Sequence, residues 1–202
     1  MRTLIALILL AAAHCGQSAQ SLIHQNDAAT LARKITQVAG KLPNVPFLAT
    51  PEFSSATICA NNDAGALLIP AQGLSRQRIQ NVGDELQPLG ALWFHGVKPS
   101  TRGYSPYPAA KLHAAAVNTG KKDVRFHGLI LDIRKGKSGN RELLVYGKDK
   151  QPLLQLPIKS MLLHQRHPID LAVSGNAKKG LLHLHLFGGF VGTLPIVATD
   201  SK

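Results

Sequence analysis

Apolar residues recur at two different periods along this chain of 202 residues. Near the N-terminus Leu31, Ile35 and Val38 repeat at helical spacing, with Ala28, Ala32 and Ala39 beside them. Arg33, Lys34 and Gln37 take the opposite face, so the stretch predicts a short amphipathic helix. Asn26 or Asp27 caps it, and Gly40 with Pro43 stops it. Residues 43–51 read as an extended connector, because the residue before a proline is pushed out of helical conformation.

Beyond residue 54 the signals are those of strands. Residues 56–61 and 66–70 flank the turn Asn62-Asp63-Ala64-Gly65, and 91–97 form a run containing Trp93, Phe94 and His95. Residues 73–89 are polar and read as a helical turn plus loop, and 98–108 as a proline-rich loop. In the second half, 111–117, 124–134, 142–146, 152–158, 169–174, 181–187 and 190–197 are predicted strands separated by turns rich in Gly, Asn and Lys. The two segments ending in Leu156-Pro157-Ile158 and Leu194-Pro195-Ile196 echo one another. Their prolines place those strands at an edge or the start of a bulge. Gly188-Gly189 between apolar runs reads as a two-residue hairpin loop, which would set His185 opposite Gly192 and His183 opposite Leu194.

Short strands at regular spacing, none alternating with a long helix, predict a mainly β fold. The expected architecture is an antiparallel β-sandwich or barrel-like domain over 51–202, preceded by the helix and connector at 21–50.

Residues 1–20 are organised differently. Arg2 precedes an apolar run from Leu4 to Ala13, followed by small and polar residues. That is the layout of a secretory signal peptide, with cleavage expected near 19–21. The run is about half the length that spans a bilayer as a helix. No later stretch is long enough either, so no transmembrane span is expected after signal removal. His14 directly before Cys15 argues against lipoprotein processing, because that position takes a small residue. Cys59 would then be the one cysteine of the mature chain, in an apparent strand interior and therefore expected to be buried. The expected location is periplasmic or secreted.

Charge adds a direction. The net charge is +12, about +11 without Arg2. Residues 21–110 hold seven basic and five acidic groups, whereas 111–202 hold fifteen and six. The basic groups cluster in predicted turns, and Lys121, Lys122, Arg134, Lys135, Lys137, Lys178 and Lys179 form the expected anion-binding rim. Such a rim raises the local concentration of anions. The same lysines also keep a sheet protein soluble and its edges unpaired.

The chemistry visible in the residues is sparse. There is no Gly-x-Ser-x-Gly elbow and no His-Glu-x-x-His. Gly136-Lys137-Ser138 lacks the glycine five residues earlier that a phosphate loop requires, since Leu131 stands there. Aromatics are only 5%, with no stacking series among the basic residues, so nucleic-acid binding is not expected. Nine histidines are the one enrichment. His183 and His185 share a strand face, and His164 or His167 could complete a divalent-metal site. No other cofactor is implied.

These observations favour a non-enzymatic, exported binding or assembly module of the cell envelope. Its basic rim would meet an anionic envelope component such as lipopolysaccharide or a membrane surface, or an acidic protein. The alternatives are a periplasmic metal-handling protein using the histidine cluster, and a hydrolase whose site assembles from scattered residues.

Overall fold

The computed structural model describes residues 25–40, 49–61, 64–118, 123–162, 165, 168–176 and 178–199. The expected leader at 1–20, most of the connector, and Lys121, Lys122, His164 and His167 lie outside the described residues. The fold is mainly antiparallel β, a nearly closed barrel-like sheet with one short helix on its N-terminal side.

Helix α1 spans Gln25–Ala39. Strands β1 (Thr57–Asn61), β2 (Ala64–Pro70) and β3 (Gln87–His95) follow, with the short helix α2 (Arg76–Gln80) between the last two. Next come β4 (Val97–Pro99), β5 (His113–Asn118), β6 (Asp123–Lys135), β7 (Arg141–Tyr146) and β8 (Leu154–Ser160). The chain ends in β9 (Ile169–Gly175), β10 (Lys179–Leu186) and β11 (Phe190–Ala198). The sheet order is β1-β2-β3-β6-β7-β8-β11-β10-β9, with β5 added to the lower half of β6 and β4 to the end of β11. Strands β1 and β9 approach each other and leave a seam without a hydrogen-bonded ladder among the described residues.

Period-2 alternation sends one set of side chains inward. On β10, Leu182, Leu184 and Leu186 are buried while His183 and His185 point outward. The inner core joins them to Phe94, Leu92, Leu129, Leu131, Ile133, Leu143 and Leu194. A second core lies on the outer face, where α1 covers the sheet. Ala28, Ala32 and Ile35 of α1 are buried there against Leu67, Ile69, Trp93, Ala115 and Phe126. The small alanines let the helix sit close to the sheet. Val38, expected on the buried face, is 53% exposed, because the buried stripe runs through 28, 32 and 35. Cys59 is half-buried rather than buried, since β1 lies at the seam.

Both Leu-Pro-Ile segments sit where a ladder changes hands. Pro157 precedes the β8 residues that pair with β11, which begin at Ile158. Pro195 stands between the β11 segment that pairs with β8 and the one that pairs with β4. A residue without an N–H is tolerated at such a break.

The terminal hairpin corrects one expectation. Its loop has three residues, and Leu186 pairs with Phe190. The tight turn is centred on Phe187 and Gly188, with φ of 52° and 63°, and the Gly189 N–H donates to the Leu186 carbonyl at 3.1 Å. Gln165 holds this turn through a bond from the Gly188 N–H to its side-chain oxygen, while its amide donates to the His185 carbonyl at 2.9 Å. The register therefore places His185 opposite Val191 and His183 opposite Thr193, while Gly192 faces Leu184. Gly188→Ala is expected to lower stability by about 1–2 kcal/mol, the cost of a Cβ in the left-handed region. Gly189→Ala, whose new Cβ meets only the side-chain guanidinium of Arg76 at 3.3 Å, should stay within about 0.5 kcal/mol of the parent. Urea unfolding midpoints of the two variants decide the point.

Candidate functional site

Antiparallel order assigns every connection except β4–β5 to one of two ends. The links β1–β2, β3–β4, β5–β6, β7–β8 and β9–β10 gather at one end, and β2–β3, β6–β7, β8–β9 and β10–β11 at the other. The expected basic rim is thereby divided. Arg134, Lys135 and Lys137 flank the β6–β7 turn, whereas Lys178 and Lys179 flank the β9–β10 turn at the opposite end.

The two ends differ in balance. Among the described residues the β6–β7 end carries Arg76, Arg78, Arg134, Lys135, Lys137, Arg141 and Lys159 together with Glu52, Asp84, Glu85, Glu142 and Asp170. Several of these cations serve the fold. Arg134 lies 3.5 Å from Glu142, and Arg141 donates to the carbonyls of Ile79 at 2.8 Å and Gln80 at 2.7 Å while stacking over Phe190. Arg78 donates to the Gln87 side chain at 3.2 Å. Among the described residues the β7–β8 end carries Lys98, Lys111, Arg125, Lys148, Lys150, Lys178 and Lys179 against Asp123 and Asp149.

Register builds this basic end. Lys179 and Lys98 flank Val197 in one cross-strand row, and the Lys179 ammonium sits 5.4 Å from the Tyr104 ring centre. Arg125 and His127 lie two apart on β6 and share a face. The Lys148 N–H donates to the Lys111 carbonyl at 2.9 Å, and His113 Nε2 lies 3.0 Å from the Gly147 carbonyl, which docks the β7–β8 turn against the start of β5. Burial pushes the proton affinity of His127 down, and the charges of Lys98, Arg125, His95 and Lys148 push it further the same way. The Nδ1 atom of His127 is buried with no hydrogen-bond partner.

On the outer face of β9, β10 and β11 a different polar group assembles. His183 Nε2 lies 2.7 Å from the Ser174 hydroxyl, and its Nδ1 lies 3.3 Å from the Thr193 hydroxyl. The His183 and His185 rings are 6.2 Å apart, and Asp170 stands opposite His185 in the register. Burial lowers the proton affinity of both histidines, aided for His183 by the charge of His185 and opposed for His185 by that of Asp170. Both ring nitrogens of His183 are thus already engaged by hydroxyls. Among the described residues no group of three or more His, Cys, Asp or Glu is placed to hold a metal ion.

One unusual group was not singled out from the sequence. Asp132, on the outer face of β6, is fully buried, and neither carboxylate oxygen has a hydrogen-bond partner. Its neighbours on that face are Ile130, Leu144 and Tyr146, and burial raises its pKa to about 7. The signal was a lone acid inside the apolar run Leu129-Ile130-Leu131-Asp132-Ile133. Beside this patch, an apolar cavity of about 100 Å³ lies between the C-terminal end of α1 and the sheet, lined by Ala39, Pro70, Pro88, Ala91, Trp93 and Ile130 among others. It offers no set of groups for catalysis. No protein-family model matches this chain, and neither does any curated protein or solved structure.

Proposed function

We propose that this protein is an exported, non-enzymatic module of the cell envelope that docks its β7–β8 end on an anionic membrane surface. The leader-like sequence at 1–20 supports export to the periplasm or beyond. The observation that carries the reading is the unbalanced charge of that end, where among the described residues seven basic side chains stand with two carboxylates. At the other end Arg141 is tied to backbone carbonyls and Arg134 faces Glu142. Exposed cations without acidic partners attract an anionic surface through a field screened over roughly 8 Å at physiological ionic strength.

Vesicles containing phosphatidylglycerol test the reading. Binding should weaken steeply as salt rises. A basic residue near an anionic leaflet is worth about 1 kcal/mol. Reversing Lys148 and Lys179 together (Lys148→Glu, Lys179→Glu) should therefore weaken binding about 30-fold or more. The matched pair at the other end, Lys135→Glu with Lys137→Glu, should change it by less than about threefold by the same reckoning. Equal losses for both pairs, or no binding at low salt, would overturn the proposal.

A further inference from the structure

The end opposite the proposed docking face carries an apolar tip. Among the described residues four large apolar side chains are exposed, and two of them, Met161 and Leu162, are adjacent at the start of the β8–β9 connection. Leu162 is 91% exposed and Met161 48%. A single apolar side chain on a surface needs no explanation, whereas adjacent ones on a connection form a contiguous patch. The backbone fixes what surrounds it. The Met161 N–H donates to the Gly189 carbonyl at 3.0 Å, which ties the tip to the β10–β11 turn. The Arg76 guanidinium lies beside the same glycine, 3.3 Å from the position a Cβ would take there. Lys159, two residues before Met161, is exposed on the outer face of β8 opposite Val191. Among the described residues neither cation forms an ion pair. The sequence holds no acidic residue between Asp149 and Asp170. This corner thus combines two exposed apolar side chains with a collar of long cations.

We propose that Met161 and Leu162 insert into the headgroup boundary of an anionic bilayer, with Lys159 and Arg76 against its phosphates. The composition matches that boundary. Leucine and methionine meet hydrocarbon, while lysine and arginine lay their apolar stems along it and keep their charges among the headgroups. A protein partner would have to supply a groove for Leu162, whereas a lipid interface needs no preformed shape. This contact stands apart from the basic end and does not rest on it. The two lie at opposite ends of the barrel, so a molecule that uses both joins two bilayers.

The test uses the mature chain and vesicles of phosphatidylglycerol mixed with phosphatidylcholine that carries brominated acyl chains. Leu162→Trp places a fluorophore at the tip, and Trp93, 2% exposed, supplies a shielded background. Vesicles should shift the added emission to the blue and quench it. Both effects should survive at low salt when Lys148→Glu and Lys179→Glu are present, because the tip binds without the basic end. In that doubly reversed chain Leu162→Ser should weaken vesicle binding about tenfold, the scale of one leucine side chain left in water. Val38→Ser, at an exposed apolar residue of α1, should leave binding unchanged. Leu162→Ser should also keep the thermal midpoint near the parent's, since the side chain packs on little. The parent should cluster vesicles, read by light scattering, and either Leu162→Ser or the paired lysine reversal should abolish clustering. An added tryptophan that vesicles do not quench, or equal losses for Leu162→Ser and Val38→Ser, overturns the tip contact. If salt-sensitive binding through the basic end remains in that case, the docking reading stands alone. Quenching without clustering upholds the tip and overturns docking through the basic end.

Discussion

Gly90→Ala should destabilise the protein by about 3 kcal/mol or more, among the largest effects of any single methyl group in this fold. Gly90 has φ of 152°, a conformation that residues with a Cβ rarely adopt. A Cβ placed there would lie 2.3 Å from the Ile69 carbonyl oxygen and 2.9 Å from Pro70 Cα, both backbone atoms of β2. Neither can rotate away. The position also follows a register shift between Pro88 and Gly90 in the ladder of β3 with β6, so the strand bends where it already lies tight against its neighbour. Backbone strain of about 1–3 kcal/mol and overpacking of a similar size act together here. The sole tryptophan, Trp93, is 2% exposed and three residues along the same strand, which makes its fluorescence a direct probe of unfolding. A urea midpoint equal to the parent's would show that β3 does not bend at Gly90.

A second large effect is a pH dependence located in one side chain. Asp132 holds its proton up to a pKa of about 7 in the folded chain, against 3.8 for an ordinary aspartate. The sign follows from proton counting. Between those two values the folded state binds more protons than the unfolded state, so stability falls as pH rises through the window and levels off above about 7. A difference of roughly three pKa units corresponds to about 4 kcal/mol. Asp132→Asn keeps the shape and removes the charge. The parent and variant should be of similar stability near pH 4, and the variant should be more stable by about 2–4 kcal/mol at pH 8. The histidines with lowered proton affinity, His113, His127, His183 and His185, act in the opposite direction below about pH 6.5. The difference between parent and variant cancels them. Denaturation curves from pH 4 to 8 that run parallel for the two proteins would show that Asp132 is not the source.

The sequence made the strands legible because alternation and turn residues are local signals. It also made α1 and its end at Ala39 legible, although Asn26 and Asp27, expected as caps, lie inside the helix, which already includes Gln25. Strand β3 was shortened at its start, since Pro88 and Gly90 resemble loop residues and here form a bulge inside the ladder. Strand β4, three residues long and ending in Pro99, carries too little pattern to be seen. The hairpin register slipped by one position because a phenylalanine at positive φ announces nothing. Phe187 adopts it because its side chain packs on the inner core and Gln165 holds the loop. The division of the basic rim was readable in principle. Successive antiparallel connections alternate ends, and the turns bearing Arg134 and Lys178 are an odd number of connections apart. The burial of Asp132 was not readable from turn signals, because it depends on Leu144 and Tyr146 arriving from the neighbouring strand.

The seam between β1 and β9 leaves the barrel unzipped along one side among the described residues. The sheet can spread there without giving up a ladder, because no strand-to-strand hydrogen bonds close it among the described residues. Val173 already shows the effect. It is paired with the fully buried Leu182 and shares its face, yet it is 44% exposed. Solvent therefore comes closer to the inner leucines along this side than along the side where β3, β6 and β7 are paired. Amide protons near the seam belong to the low-energy end of local unfolding, and those at the centre of β6 to the global end. The molecule behaves less like a sealed cylinder than like a cupped sheet, whose stiffness grows with distance from its two free edges.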